Sequence, residues 1–115
     1  MNMKEAGKPY ERRRAPRIAV NFPVAVSWGR KQFKWLAREF SEYGILLAGS
    51  NKEMVGDDLK LEMALDPNDP PLIVDGVVAY ATDTGVGIRF KNLSQENQFS
   101  LKHYVQKRGI GITRK

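Results

Sequence analysis

Four arginines fall within six residues in the run Glu11-Arg12-Arg13-Arg14-Ala15-Pro16-Arg17. Guanidinium groups fork onto phosphate oxygens and onto the acceptor edge of guanine. Further along, Glu39-Phe40-Ser41-Glu42-Tyr43-Gly44 supplies a carboxylate, a hydroxyl and a glycine at a strand-to-turn boundary. A carboxylate can accept the N–H donors of guanine, and a short hydroxyl can meet a base or a phosphate. Together the two segments describe a candidate site for a small anionic nucleotide. Neither makes the case alone. Read singly, the first is a solvated basic linker and the second an ordinary turn that needs a glycine. Within the first, Arg13 and Arg17 are the primary candidates; Arg12 and Arg14 either add contacts or only raise the local field. Gly44 permits φ > 0 or a close backbone approach.

Catalytic chemistry finds little support. His103 is the one histidine and cysteine is absent, which excludes the common zinc sites. There is no phosphate loop of the Gly-Lys-Ser/Thr kind. The acidic turns Asp57-Asp58 and Asp66 to Asp69 read as solvated, so neither an enzyme nor a metal centre is expected. Among the aromatic residues, Trp28 continues an apolar alternation and belongs with the core. Phe33 and Trp35 share a parity and are expected to pack inward, which leaves Tyr43, in the turn, as the best candidate for exposure.

A chain of 115 residues forms one domain with one modest core. Its net charge of +6 is uneven: residues 1–17 carry +4, residues 102–115 carry +5, and the stretch between carries −3. Basic ends on a near-neutral body suit an anionic partner. No apolar run reaches membrane-spanning length, and the polar N-terminus lacks the apolar core of a signal peptide, so a cytoplasmic protein is the expectation.

The elements that must position the candidate residues can be read from periodicity. Ile18, Val20, Phe22, Val24, Val26 and Trp28 alternate strictly, which predicts a long strand with one buried face. Pro23 lacks an amide donor and predicts an edge or a bulge at that point. Gly29-Arg30 turns the chain into a second strand, about Lys31 to Phe40, and Ile45 to Ala48 begins a third. Leu59, Leu61, Met63 and Leu65 mark a fourth. Leu72 to Ala81 and Val86 to Phe90 flank the Asp83-Thr84-Gly85 turn as a hairpin. After Asn92 the period becomes helical, with Ser94 as N-cap and Gly109 as the expected left-handed end. About six strands and one terminal helix predict an antiparallel barrel or rolled sheet.

The chain resembles PilZ domains, bacterial receptors for cyclic di-GMP. That family carries Arg-x-x-x-Arg near its start and then Asp/Asn-x-Ser-x-x-Gly. Arg13-Arg14-Ala15-Pro16-Arg17 fits the first element, and Glu39-Phe40-Ser41-Glu42-Tyr43-Gly44 fits the second except that Glu39 replaces Asp or Asn. Val86-Gly87-Ile88-Arg89-Phe90 with the helix after it resembles the family's closing strand and helix. The resemblance spans roughly Tyr10 to Arg108. It implies a mainly β fold, a six-stranded antiparallel β-barrel of the split-barrel type with a C-terminal α-helix. The domain would occupy residues 11–108, after a flexible lead (1–10) and before a basic tail (109–115). The resemblance implies cyclic di-GMP as ligand, held by Arg12, Arg13, Arg14, Arg17, Glu39, Ser41 and Gly44, with no cofactor, no metal and no turnover. Arg12 stands where family members that bind a stacked pair of ligand molecules often carry an extra Arg. Ligand state would pass to a protein effector in motility, biofilm, exopolysaccharide or virulence control. No nucleic-acid partner and no membrane insertion are implied, and nothing in the residues selects an oligomeric state. Glu39 keeps the carboxylate of Asp but adds a methylene, which implies weaker binding. It could also pair with a motif arginine. The rival within the same fold is an adaptor that binds a protein without nucleotide. A small nucleic-acid-binding barrel ranks last, since the basic residues cluster in the tails.

Overall fold

The computed structural model describes residues 17–113, with side chains through Arg108. Six strands form a closed antiparallel barrel: β1 (Ile18–Trp28), β2 (Lys31–Phe40), β3 (Gly44–Ala48), β4 (Asp58–Met63), β5 (Leu72–Ala81) and β6 (Val86–Lys91). Their order around the barrel is β1-β2-β3-β6-β5-β4. One helix follows, α1 (Gln95–Thr113). The expected fold class is therefore the observed one. A short 3-10 turn, Lys52–Met54, follows β3 and was not predicted; it buries Met54 completely.

Closure follows from the alternation. Val24 and Val26 of β1, Leu47 of β3, Leu61 of β4 and Val86 of β6 are all fully buried. Burying such a face removes apolar area from water at about 25 cal/mol per Å², and joining β1 to β4 leaves no open edge. The expectation for Pro23 is met in a particular way. It pairs with Leu36 of β2 and lies one residue before the first β1–β4 pair, Val24 with Met63, at the end of that ladder. A register shift lies just before it, between Ala19 and Phe22.

Trp28, Phe33 and Trp35 stack in a row, with centroids 6.3 and 5.0 Å apart, half-buried against the core. The Trp28 indole N–H donates to Asp57 Oδ2 at 2.9 Å. Helix α1 begins with the Ser94 hydroxyl accepting from the Asn97 N–H at 3.0 Å, as its N-cap role predicts. Its buried side, Leu101, Tyr104 and Val105, meets the barrel where Tyr104 packs edge-on to Phe22 and Phe40. Gly109 does not end this helix, which runs on to Thr113. A glycine inside a helix costs only about 1 kcal/mol relative to alanine, and no proline follows to stop the chain. His103 lies on the exposed side, stacked on Phe99 at 5.8 Å. No helix among the described residues is long and apolar enough to cross a membrane.

Candidate functional site

Two strands break the period of two, and both breaks turn a side chain onto the same patch. In β2, Ala37 pairs with Leu47 and Glu39 with Leu46, so Arg38 is an extra residue. Unbroken alternation would carry Phe33, Trp35, Ala37 and Glu39 inward together. The bulge instead gives the inward place to Phe40, which is 1% exposed, and turns Glu39 out. In β5, Val78 pairs with Ile88 and Tyr80 with Gly87, so Ala79 is extra. Tyr80 would otherwise follow Val74 and Val78 into the core. Ala81 packs there in its stead, and Tyr80 is 50% exposed.

The outer face of β3, β6 and β5 forms the floor beneath these residues. Cross-strand partners place Leu46, Gly87 and Tyr80 in one row and Gly44, Arg89 and Val77 in the next. Two of these positions are glycine, and a neighbour takes the space a Cβ would need at each: the Tyr80 ring at Gly87 and the Ile88 carbonyl at Gly44. Gly44 is required for close approach rather than for a positive φ: a Cβ there would sit 2.5 Å from the Ile88 carbonyl oxygen. The resulting cleft has a volume of about 480 Å³. Arg17, Glu39, Ser41 and Gly44 all line it, joined by Tyr43, Tyr80 and Arg89. Arg12, Arg13 and Arg14 lie outside the described residues.

Arg17 and Glu39 face each other across the rim, with Nη1 to Oε1 at 3.6 Å. The pairing considered for Glu39 thus exists, as an ion pair too long for a well-formed hydrogen bond. Both side chains are about half exposed or more, so solvent screens the pair and its net worth is below about 1 kcal/mol. Tyr43 is 61% exposed, as its place in the turn suggested.

Ser41 does something that its position in the motif did not announce. Its hydroxyl accepts from the backbone N–H of Tyr43 at 3.1 Å and of Gly44 at 3.2 Å, while the Ser41 N–H donates to the Gly44 carbonyl at 2.9 Å. The β5–β6 turn, Thr82-Asp83-Thr84-Gly85, repeats the arrangement. There the Thr82 hydroxyl accepts from the N–H of Thr84 at 3.3 Å and of Gly85 at 3.0 Å, and its own N–H donates to the Gly85 carbonyl at 2.8 Å. Thr82 is not part of the cleft. The Ser-x-x-Gly sequence is thus in the first place a way to close a hairpin. What remains to Ser41 for a ligand is chiefly its hydroxyl hydrogen, which has only a long contact of 3.5 Å to the Gly44 carbonyl.

Two cleft residues escaped the sequence reading. Arg89 had a readable signal, since Val86, Ile88 and Phe90 claim the inward positions of β6 and push it outward. Among the described residues no carboxylate pairs with it. Tyr80 had none, because a bulge decides its face.

The sequence matches the family model described as PilZ domain over residues 11–107. The chain belongs to the PilZ domain family. Solved structures carry the same barrel. The PilZ domain of CeSA from a cellulose-synthesizing bacterium is 19% identical with a TM-score of 0.64, over 74% of this chain and 89% of that one. The Bacillus subtilis inhibitor of motility (MotI/DgrA) is 15% identical with a TM-score of 0.72, over 84% of this chain and 51% of that one. The Borreliella burgdorferi PlzA protein, solved in complex with c-di-GMP, is 16% identical with a TM-score of 0.60, over 76% and 38%. At these identities the likeness is one of fold, and this PilZ domain spans only about half or less of the latter two chains. No curated protein gives a significant match. PilZ domains are ligand-binding or adaptor modules rather than enzymes.

If the Ser41 hydroxyl holds its turn as Thr82 holds the other, Ser41→Ala and Thr82→Ala should each destabilise the domain by about 1 kcal/mol. Urea unfolding should show similar drops in midpoint for both. An unchanged midpoint in Ser41→Ala alone would deny that hydroxyl a part in the fold.

Proposed function

We propose that this PilZ domain is a receptor for cyclic di-GMP that changes its presented surface on binding and does not transform the ligand. The observation that carries the reading is the meeting of Arg17 with Glu39, Ser41 and Gly44 around one cleft. Two motifs that are separate in the chain thereby border one space. Arg13 and Arg17 supply forked donors for phosphate and for the guanine acceptor edge, and Arg14 adds to the same cationic field. Glu39 offers its carboxylate to guanine N–H donors, Ser41 its remaining hydroxyl hydrogen, and Gly44 the open floor on which the ligand lies. Arg89 contributes a further guanidinium from β6. Arg12 recruits a second ligand molecule.

Binding would draw the segment from Arg12 to Arg17 onto the barrel face that carries Glu39, Ser41 and Gly44. That change is the signal read by a protein partner in the cytoplasm, in control of motility, biofilm, exopolysaccharide or virulence. The ion pair between Arg17 and Glu39 fits an empty state in which each charge is lightly held until phosphate replaces the carboxylate.

Three calorimetric titrations with cyclic di-GMP test this reading. Replacing Arg13 or Arg17 by Ala should cost about 1.5–3 kcal/mol, roughly ten- to a hundred-fold in affinity, with little change in stability. Unchanged binding in the double variant rejects the site. The native chain should take up more than one ligand per protein, and Arg12→Leu should lower that number while some binding survives; a ratio of one in both removes the recruiting role. Glu39→Asp should bind more tightly, because the shorter side chain restores the reach of the family motif and loses less entropy. Glu39→Ala should bind more weakly. Tighter binding in Glu39→Ala would instead make the Arg17 pair a brake on the ligand, and silence in all variants would leave the adaptor reading standing.

A further inference from the structure

Helix α1 turns one side to the barrel and leaves the other in water. On a wheel of about 100° per residue, Phe99 and His103 fall opposite the buried group Leu101, Tyr104 and Val105. Phe99 is 71% exposed, more than any other large apolar residue described. Its ring stacks on His103, with centroids 5.8 Å apart and planes within 9° of each other. The pair is an ordered apolar slab that neither the barrel core nor the cleft uses. Charge is divided along the same helix. Glu96, in the first turn, is its one acid, and Lys102, Lys107 and Arg108 all lie toward the other end. Glu96 and Lys107 are about three full turns apart, so they share one flank of the slab. Lys107 approaches Asp66 of its own chain only to 3.8 Å, too far for a hydrogen bond, and its side chain is 60% exposed. Such a contact holds it weakly and leaves it free for a better partner.

We propose that this side of α1 is a docking face for a second copy of the chain, the two helices meeting antiparallel across a twofold axis at the level of Leu101. Positions symmetric about such an axis meet in pairs. Phe99 of each copy then meets His103 of the other, and Glu96 of each meets Lys107 of the other. A parallel pair would set basic half against basic half, whereas the antiparallel pair opposes unlike charges and unlike helix ends. Lys102, on the other flank, faces its own counterpart near the axis and opposes the contact. The contact is confined to one helix face, short of the standard interface of about 1,600 Å², so the dimer is a weak one. No residue of α1 lines the cleft of Arg17 and Glu39, and the proposal does not rest on the cyclic di-GMP reading.

Sedimentation velocity of the full chain, from about 10 μM to about 1 mM, should show a monomer–dimer equilibrium. Phe99→Ala should weaken it roughly ten-fold or more, with a thermal melt like native because the side chain is exposed. Charge exchange tests the register. Glu96→Lys alone and Lys107→Glu alone each set like charges together at both flank contacts, and each should be monomeric. An equimolar mixture of the two should dimerise, since each copy then offers the charge that the other lacks. No effect within one chain gives that result, because the two positions lie roughly 16 Å apart along the helix. Lys102→Gln should dimerise more tightly than native, and looser association there overturns the arrangement. A native chain that stays monomeric throughout overturns the docking face, as does a Phe99→Ala that dimerises like native. A mixture that stays monomeric, while both variants melt like native, overturns the antiparallel register and the proposal with it.

Discussion

A strand in a closed barrel must send alternate side chains into the core, and no strand can slip by one residue without turning its apolar face outward. Everything about the cleft depends on two local exceptions to that rule. The extra residue Arg38 lets β2 keep Ala37 and Phe40 inside while Glu39 goes out, and Ala79 does the same for Val78, Ala81 and Tyr80 in β5. Without the first bulge a carboxylate would face Phe40's place in the core, where an unpaired charge costs several kcal/mol. Without the second, Tyr80 would compete with Val86 for interior volume. The core and the cleft are therefore specified by the same two residues, and neither could be changed without the other.

The glycines and hairpin turns show the same sharing. Gly44 ends a turn held by the Ser41 hydroxyl, and it also lets β3 lie close against β6, where a Cβ would meet the Ile88 carbonyl oxygen. The turn role has a duplicate at Thr82-Asp83-Thr84-Gly85 that borders no cleft, so the motif's hydroxyl and glycine spacing is accounted for by hairpin closure. The distinguishing feature of the Ser41 turn is its setting. Both turns follow a bulged strand, but this one lies beside Arg17 in the cleft and carries Tyr43 rather than Thr84.

Much of this was legible in the sequence, and the exceptions have physical causes. The bounds of β2 and β5 follow from the turns beside them, Gly29-Arg30 before β2 and Asp83-Thr84-Gly85 after β5, whereas alternation marks β1 and β4. The meeting of Arg17 with Glu39, Ser41 and Gly44 was expected from motif resemblance, which encodes three-dimensional proximity that spacing alone does not. Tyr80 was out of reach, since a bulge depends on the register of two strands and leaves no mark in either one. The Lys52–Met54 turn was missed because three residues are too few for any period. The helix end was misplaced because a glycine permits a left-handed stop without imposing one.

The charge arrangement at the rim fits the receptor reading proposed above. Arg17 and Glu39 pair at 3.6 Å with both side chains in contact with water. Had the pair been buried, separating it would have stranded a charge at a cost of about 3–5 kcal/mol, enough to consume much of a ligand's binding energy. At the rim the loss is below about 1 kcal/mol, so an anion with several oxygens can displace one carboxylate readily. Glu39 is long enough to swing aside without moving β2, whose backbone is fixed by pairing to both Ala19 and Leu46. The rigid part of the site is the floor between β3, β6 and β5, and the exchangeable part is the rim. Exchanging one anion for another at Arg17 therefore asks for no change in the barrel itself.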